Sequence, residues 1–254
     1  MIPANKGRLF ERLFAWHAHR KIRAHFSEVR AIDLDRLQQA LSVAPVLLLA
    51  NHSAWWDPLW ALALVTHRLR ADGYAMMDAR NLRRLPFFAK VGAFGVDLED
   101  AADGARAIRY AAALLDRPGR LVVIYPQGEE QASRAPQLLL RPGSALVQRL
   151  AKGAIPIAMG VRYEHRGQER PSLWAGFEAV EPGGDRAETL ICQGQAIERA
   201  LAKVDHALSE DDLERAPLLF RSSRGRGLEL ASAALAALTR GDLPALPDSD
   251  ARAK

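Results

Sequence analysis

Two short apolar runs place the strongest constraint on the fold of this chain. Residues 46–50 (VLLLA) and 121–125 (LVVIY) are uninterrupted apolar segments, and a polar turn follows each of them. Short runs without polar alternation are typical of strands that are buried on both faces. Segments with helical spacing separate the two runs. This order predicts an α/β fold, a single domain with a mostly parallel central sheet flanked by helices.

The residues that follow the two runs indicate where a functional site would lie. In a parallel α/β sheet, ligands bind in the crevice at the carboxyl ends of the strands. His52 follows the first run, and Gly128 and Glu129 follow the second. We therefore expect the functional site at this edge of the sheet.

The spacing of His52 and Asp57 predicts a turn between them. Five residues on a continuous helix correspond to about 500° of rotation, so the two side chains would face different ways. Asp57 is expected to cap a helix whose first residue is Pro58. A carboxylate beside the imidazole would select its tautomer and stabilise its protonated form, as a general base requires. A simple helix cap with an unrelated loop histidine also explains the pair, since a capping Asp is common, and both explanations stay open.

The composition limits the class of protein. The chain has 254 residues, of which 49% are hydrophobic, and this suits one sizeable domain. A single cysteine, Cys192, excludes an internal disulfide framework and fits a reducing compartment. No apolar run approaches the roughly 20 residues of a spanning helix, and no signal peptide is evident. The histidines show no spacing typical of metal ligands, so no metal is expected.

The charge favours anionic partners. The net charge is +5 and the sequence pI about 9.6, which suits a phospholipid surface, coenzyme A, an acidic carrier protein or nucleic acid. No nucleic-acid motif is present, so nucleic acid is not expected. Residues 5–30 have the pattern of a basic amphipathic helix, which either lies on a membrane surface or packs on the domain with a solvated basic face.

Four sequence blocks resemble those of one enzyme family. Asn51, His52 and Asp57 form an NHx4D pattern, and residues 92–98 (GAFGVDL) resemble a GxxFVDR block. Residues 124–129 (IYPQGE) resemble FPEGTRS, and residues 155–158 (IPIA) resemble VPVxPV. In this order the blocks are similar to those of the lysophospholipid or glycerolipid acyltransferases, and the resemblance spans residues 26–177.

The resemblance implies a glycerolipid acyltransferase fold and transfer of a fatty acyl group from acyl-CoA or acyl carrier protein to a lipid hydroxyl. His52 would be the base and Asp57 would orient it, and the Gly128 turn would offer an N–H to the oxyanion. No cofactor is implied. Peripheral contact with the inner face of the membrane, on the cytoplasmic side, would follow. The candidate substrate-binding residues are Asn51, Trp55, Trp56, Arg80, Arg84, Pro126, Gln127, Gly128 and Glu129.

Several of these residues also have a plainer explanation. Trp55 and Trp56 either line an acyl channel or pack beneath the turn. The arginines after residue 79 either contact a phosphate or form a solvated basic face.

Four residues that depart from the family pattern concern the acceptor. Gln127 replaces a Glu, Glu129 and Glu130 replace Thr and Arg, and Leu98 replaces an Arg. A carboxylate beside a phosphate is unfavourable. The expected acceptor is therefore a glycolipid, a carotenoid glycoside or an amino-lipid. The alternatives are a 1-acylglycerol-3-phosphate acceptor, a thioester or ester hydrolase, and a non-catalytic lipid-binding protein.

The same patterns divide the chain into three regions. Residues 1–30 form the N-terminal helix, predicted to face the membrane. Residues 31–240 form the α/β domain with its C-terminal helices. Residues 241–254 form a polar, proline-containing tail that is expected to be disordered.

Overall fold

One mixed sheet of eight strands organises the computed structural model, which describes residues 1–135 and 137–222. The strands are β1 (Glu28–Ile32), β2 (Val46–Ala50), β3 (Asp72–Asp78), β4 (Ala93–Val96), β5 (Arg120–Ile124), β6 (Ile155–Glu164), β7 (Ser172–Ala179) and β8 (Leu218–Arg221). Their order is β4-β3-β5-β2-β6-β7-β1-β8. In the described residues all neighbouring pairs are parallel except β6/β7 and β1/β8. The predicted mostly parallel sheet is confirmed.

Helices cover both faces of this sheet. They are α1 (Arg8–His25), α2 (Leu34–Val43), α3 (Asp57–Ala63), α4 (Ala79–Arg84), α5 (Ala101–Leu114), α6 (Gly143–Leu150) and α7 (Arg186–Ser209). A π-helical segment, Leu64–Leu69, continues α3, and a 3-10 helix, Pro86–Val91, follows α4.

Strand β2 lies between the two core layers. Every residue of β2 is fully buried. Val46, Leu48 and Ala50 belong to the core on the side of α1, α2 and α3. Leu47 and Leu49 belong to the core on the side of α5, α6 and α7. Because side chains alternate across a strand, a strand buried on both faces must be apolar at each position, as the run predicted.

The strand register brings the polar turns together. Leu49 of β2 is paired with Ile124 of β5 and with Ala158 of β6. Parallel strands in this register end at the same edge of the sheet. His52 and Gln127, each three residues further along the chain, therefore arrive at the same place.

The N-terminal helix is shorter than the predicted span of residues 5–30. Helix α1 ends at His25 because Phe26 has an extended backbone and β1 begins at Glu28. Ala15, Ala18 and Ile22 are its buried residues and face the domain. Among the described residues, no helix has the length and apolarity needed to cross a membrane.

The predicted domain boundaries stay a prediction. Residues Met1–Arg221 form one compact unit, which contains the N-terminal helix together with the sheet. The predicted tail, residues 241–254, and the end of the predicted α/β domain lie outside the described residues.

Candidate active site

The predicted pair His52 and Asp57 meets in the turn between β2 and α3. His52 Nδ1 lies 2.9 Å from Asp57 Oδ2. The same Asp57 oxygen accepts the backbone N–H of Ser53 at 2.7 Å and that of Ala54 at 2.9 Å. Asp57 is fully buried, and these donors offset the loss of its hydration.

Asp57 does not cap α3 as the sequence suggested. Trp56 is the N-cap, Asp57 is the first helical residue and Pro58 follows it. The carboxylate turns back and binds N–H groups that precede the helix, so it closes the turn rather than the helix end. The pair is therefore more than a helix cap with an unrelated loop histidine.

The bond to Asp57 determines which nitrogen of His52 is available. When Nδ1 donates its proton to the carboxylate, Nε2 keeps its lone pair free. The His52 side chain is partly exposed and forms part of a cavity wall. The arrangement can accept a proton at Nε2 and stabilise the resulting imidazolium.

Asn51 and Gln127 support His52 from behind. The Asn51 side chain accepts the Val161 N–H at 2.7 Å and donates to the Val161 carbonyl at 3.2 Å. Gln127 accepts the His52 N–H through Oε1. Both are buried and absent from the cavity wall, as is Pro126, whose carbonyl accepts the Arg141 N–H. Their polar groups complete the backbone pairing beyond the strand ends, and substrate contact by these three residues stays a prediction.

A cavity of about 660 Å³ opens beside His52. It follows β3 from Asp78 to Gly73, a path of roughly 16 Å at the rise of a β-strand. Glu11 of α1 contributes to its wall. Most of the remaining wall is apolar, and its members include Leu59, Leu62, Val65, Met76, Phe88, Val96 and Leu98.

The two tryptophans of the turn have different places. Trp56 packs beneath the turn, where its ring centroid lies 5.1 Å from that of Phe26 and 4.9 Å from that of His25. It is not part of the cavity wall, so the plainer explanation holds for Trp56. Trp55 lines the cavity and is 65% exposed, which places it at the mouth.

The two candidate arginines also differ. Arg80 pairs with Asp78 at 3.3 Å and with Glu99 at 3.4 Å, and it is not part of the cavity wall. Two acids already balance its charge, and its predicted place in the substrate site stays a prediction. Arg84 lines the cavity and has no ion-pair partner among residues 1–135 and 137–222.

The Gly128 turn also lines the cavity, with one difference from expectation. The Gly128 N–H donates to the Tyr125 carbonyl at 3.0 Å, so it is already used. Gly128 has a φ of 75°, which favours glycine. The next amide, that of Glu129, has no hydrogen-bond acceptor in the described part of the chain. Glu129 and Glu130 are exposed and line the cavity.

Two tyrosines of the site were not among the predicted site residues. Tyr163 of β6 donates its hydroxyl proton to Asp57 Oδ1. The Tyr125 ring centroid lies 4.7 Å from that of His52, and the Tyr125 hydroxyl is buried without a hydrogen-bond partner in the described residues. Burial raises the pKa of both phenols well above the usual value, and Asp57 adds to the effect. In the sequence, Tyr125 is the last residue of an apolar run and lies in the block that resembles FPEGTRS, whereas Tyr163 lies outside the four blocks.

Comparison with protein-family models identifies the chain. Residues 28–161, just over half of the sequence, match the model of a family described as Acyltransferase. The chain belongs to the Acyltransferase family. All four sequence blocks lie inside the matched residues, and the protein is an acyltransferase. In the described part of this acyltransferase, no group of three or more His, Cys, Asp or Glu side chains is placed to hold a metal ion.

Solved structures support the fold of this acyltransferase. The 1-acyl-sn-glycerophosphate (LPA) acyltransferase PlsC from Thermotoga maritima is similar, with a TM-score of 0.51 and 13% sequence identity. The likeness covers 77% of this chain and 78% of that chain. It confirms the predicted acyltransferase fold. A search of curated proteins finds no match.

Proposed function

We propose that this acyltransferase moves a fatty acyl group from a thioester, acyl-CoA or acyl carrier protein, to the hydroxyl of a lipid acceptor. One observation carries the proposal. The His52–Asp57 pair lies at the wall of a largely apolar cavity of about 660 Å³, which suits an alkyl chain. No cofactor or metal is needed for this chemistry.

In the proposed mechanism the acceptor hydroxyl attacks the thioester directly. His52 Nε2 removes the hydroxyl proton while the oxygen forms a bond to the thioester carbonyl carbon. Asp57 stabilises the imidazolium. The tetrahedral intermediate then collapses, the carbon–sulfur bond breaks, and the imidazolium returns its proton to the thiolate. The products are an ester and a free thiol, and no serine or cysteine nucleophile takes part.

The oxyanion of that intermediate requires a hydrogen-bond donor. The Gly128 N–H already donates to Tyr125. We assign the role to the Glu129 N–H, which follows it in the same turn and has no acceptor among the described residues. A donor that is fixed before the reaction stabilises the developing charge without reorganisation.

The charges at the cavity favour an acceptor without a phosphomonoester. Glu129 and Glu130 line the wall, and Leu98 lies where the family pattern has Arg. A phosphomonoester carries about −1.5 to −2 charges at neutral pH, so the two carboxylates oppose it. A glycolipid, a carotenoid glycoside or an amino-lipid lacks that repulsion.

A 1-acylglycerol-3-phosphate acceptor is the second candidate. Arg84 at the cavity wall could receive one phosphate. The similar Thermotoga maritima structure is that of an LPA acyltransferase, which adds support from outside the chain.

The outer face of α1 supports docking on a lipid surface. Leu9, Leu13 and Trp16 recur at helical spacing, and all three are more than half exposed. Basic residues flank them, as expected of an interfacial helix. Trp55 adds an exposed ring at the cavity mouth. On this basis we propose peripheral membrane contact, and the inner, cytoplasmic face stays a prediction from the resemblance.

An acyl-transfer assay tests the proposed function. Radiolabelled acyl-CoA and acyl carrier protein would each be offered with a neutral glycolipid, an amino-lipid and lysophosphatidic acid. We expect an acylated lipid product, with the neutral or amino-lipid acceptor faster. Release of free fatty acid without an acylated lipid would identify a hydrolase. A rate of thiol release that His52→Ala leaves unchanged would refute the proposal.

A further inference from the structure

The Asp57 carboxylate receives donors from two separate parts of the fold. His52 Nδ1 and the Ser53 and Ala54 N–H groups all contact Oδ2, and they belong to the turn that carries Asp57. The donor to Oδ1 is different. It is the hydroxyl of Tyr163, which lies 106 residues away on β6.

We propose that Tyr163 is a positioning residue for the His52–Asp57 pair, because its hydroxyl fixes Asp57 Oδ1 and so sets the hydrogen bond between Oδ2 and His52. The inference rests on the proposed function for its catalytic meaning. Tyr163 does not touch the cavity and acts through Asp57.

Tyr163 is held firmly enough for this role. Its ring centroid lies 5.7 Å from that of Phe26. The preceding residue, Arg162, binds Asp205 through two hydrogen bonds of 2.9 Å each. The β6 backbone beyond Ala158 is also tied to the site by the Asn51 side chain, which pairs with Val161. The phenol oxygen is therefore a fixed point on the opposite side of the carboxylate from His52.

The surroundings keep the phenol in its donor form. Burial raises the pKa of Tyr163 well above the usual value, and the charges of Asp57 and Glu130 and the neighbouring Tyr125 add to the shift. The other groups that face the carboxylate are His52 and the two backbone amides. Tyr163 thus remains protonated across the pH range in which a histidine titrates.

Removing this hydroxyl leaves Oδ2 held by the Ser53 and Ala54 amides, but it changes the stabilisation that Asp57 gives to the imidazolium of His52. A carboxylate that loses one donor concentrates its charge on the donors that remain. The imidazolium form of His52 then gains stabilisation, so the ring takes up its proton at higher pH. A hydrogen bond to a charged group is strong enough to move such a titration by about 0.5 to 1 pH unit.

The experiment compares Tyr163→Phe with Tyr110→Phe by NMR titration of the histidine ring signals, with the His52 signal assigned through His52→Ala. Tyr110→Phe is a matched control, because it removes a phenol hydroxyl that accepts the Ala4 N–H at 3.2 Å, away from the site. We expect the His52 midpoint to rise by about 0.5 to 1 pH unit in Tyr163→Phe and to stay unchanged in the control. Equal midpoints in the two variants would overturn the proposal.

Two further measurements distinguish a positioning role of Tyr163 from a purely structural one. In the acyl-transfer assay, kcat of Tyr163→Phe should fall about three- to tenfold with an unchanged KM for the acyl donor, since only the pair is affected. A fluorotyrosine at position 163, a stronger donor with the same ring, should move the His52 midpoint downward. It replaces Tyr163→Phe if that variant does not fold. The titration needs no substrate. A shifted His52 midpoint in a protein that transfers no acyl group would therefore refute the proposed function and leave the positioning role of Tyr163 intact.

Discussion

The side chain of Gln127 pairs with both backbone groups of His52. Its Oε1 accepts the His52 N–H at 2.5 Å, and its Nε2 lies 3.5 Å from the His52 carbonyl oxygen. The side-chain amide thereby replaces the strand neighbour that His52 has lost beyond the end of β2. Gln127 is buried, so this pairing is shielded from water.

Loss of this pairing should misplace the base. In Gln127→Ala the buried His52 N–H has no acceptor, which costs about 1–3 kcal/mol. We expect a tenfold or greater fall in kcat and a lower midpoint of urea unfolding. Gln127→Glu keeps an acceptor at the same position and should retain more activity than Gln127→Ala. Wild-type turnover in Gln127→Ala would show that the amide is dispensable.

Replacement of the pair itself should abolish acyl transfer. A general base typically contributes 10²–10⁴-fold, so His52→Ala is expected to lose about that factor in kcat. Asp57→Asn keeps the size of the side chain but removes the charge that stabilises the imidazolium, and a loss in the same range should follow. Circular dichroism of both variants checks that they fold. Activity in either variant close to that of the wild type would contradict the general-base role.

The cavity next to Gly73 should control the length of the acyl chain. A Cβ at Gly73 would lie 2.4 Å from Cγ1 of Val65, and both residues line the cavity. Gly73→Ala should therefore shift the preference among acyl-CoA substrates towards shorter chains. Adding Val65→Ala to Gly73→Ala should restore activity with the longer acyl-CoA substrates.

The control for this series is Gly104→Ala on α5. A Cβ at Gly104 meets nothing within 4 Å, so the substitution should leave the chain-length profile unchanged. Identical profiles for Gly73→Ala and Gly104→Ala would show that the acyl chain does not reach this part of the cavity.

Restoring the missing cations should change the preferred acceptor. Leu98→Arg combined with Glu130→Arg places two positive charges at the cavity wall. We expect kcat/KM for lysophosphatidic acid to rise at least tenfold relative to a neutral acceptor, since each charge would approach a dianion. Glu210→Arg, an exposed charge reversal after α7, is the control. If the ratio of kcat/KM for lysophosphatidic acid to that for the neutral acceptor does not change, charge is not the basis of acceptor choice.

The exposed stripe of α1 should determine binding to lipid. Replacing Leu13 and Trp16 by Ser removes apolar area that an interfacial helix buries. Sedimentation with vesicles of phosphatidylglycerol and phosphatidylcholine should show at least tenfold weaker binding. Leu150→Ser, which removes an equally exposed apolar side chain from α6, should bind as the wild type does. An equal loss of vesicle binding in both variants would show that the exposed stripe of α1 is not a specific membrane-binding surface.

The sequence predicted the centre of the fold and the central pair of the site. Strand β2 has the predicted bounds because only a strand buried on both faces needs five consecutive apolar residues. The meeting of His52 and Asp57 followed from their spacing, since five residues on a continuous helix would turn the two side chains apart. Their place at the edge of the sheet followed from the rule that parallel strands end in a shared crevice. These features depend on local pattern, which a single sequence displays.

The parts that the sequence did not predict depend on contacts between distant segments. Tyr163 reaches Asp57 only because β6 lies next to β2 in a particular register. Gln127 reaches His52 because β5 lies next to β2 on the other side. Trp55 and Trp56 are identical and adjacent in sequence, and the positions of His25 and Phe26 make Trp56 a packing residue. No periodicity encodes such pairings.

Helix α1 has two surfaces with separate tasks. Its exposed stripe is proposed to meet the bilayer, while Glu11 on another face forms part of the cavity wall. In this proposal, one helix would touch both the lipid surface and the cavity that holds the alkyl chain. If an acyl chain bound in the cavity strengthens binding of the protein to the membrane by some factor, membrane binding must strengthen binding of the acyl chain by the same factor. The fraction of enzyme bound to the membrane would then depend on the concentration of the acyl donor.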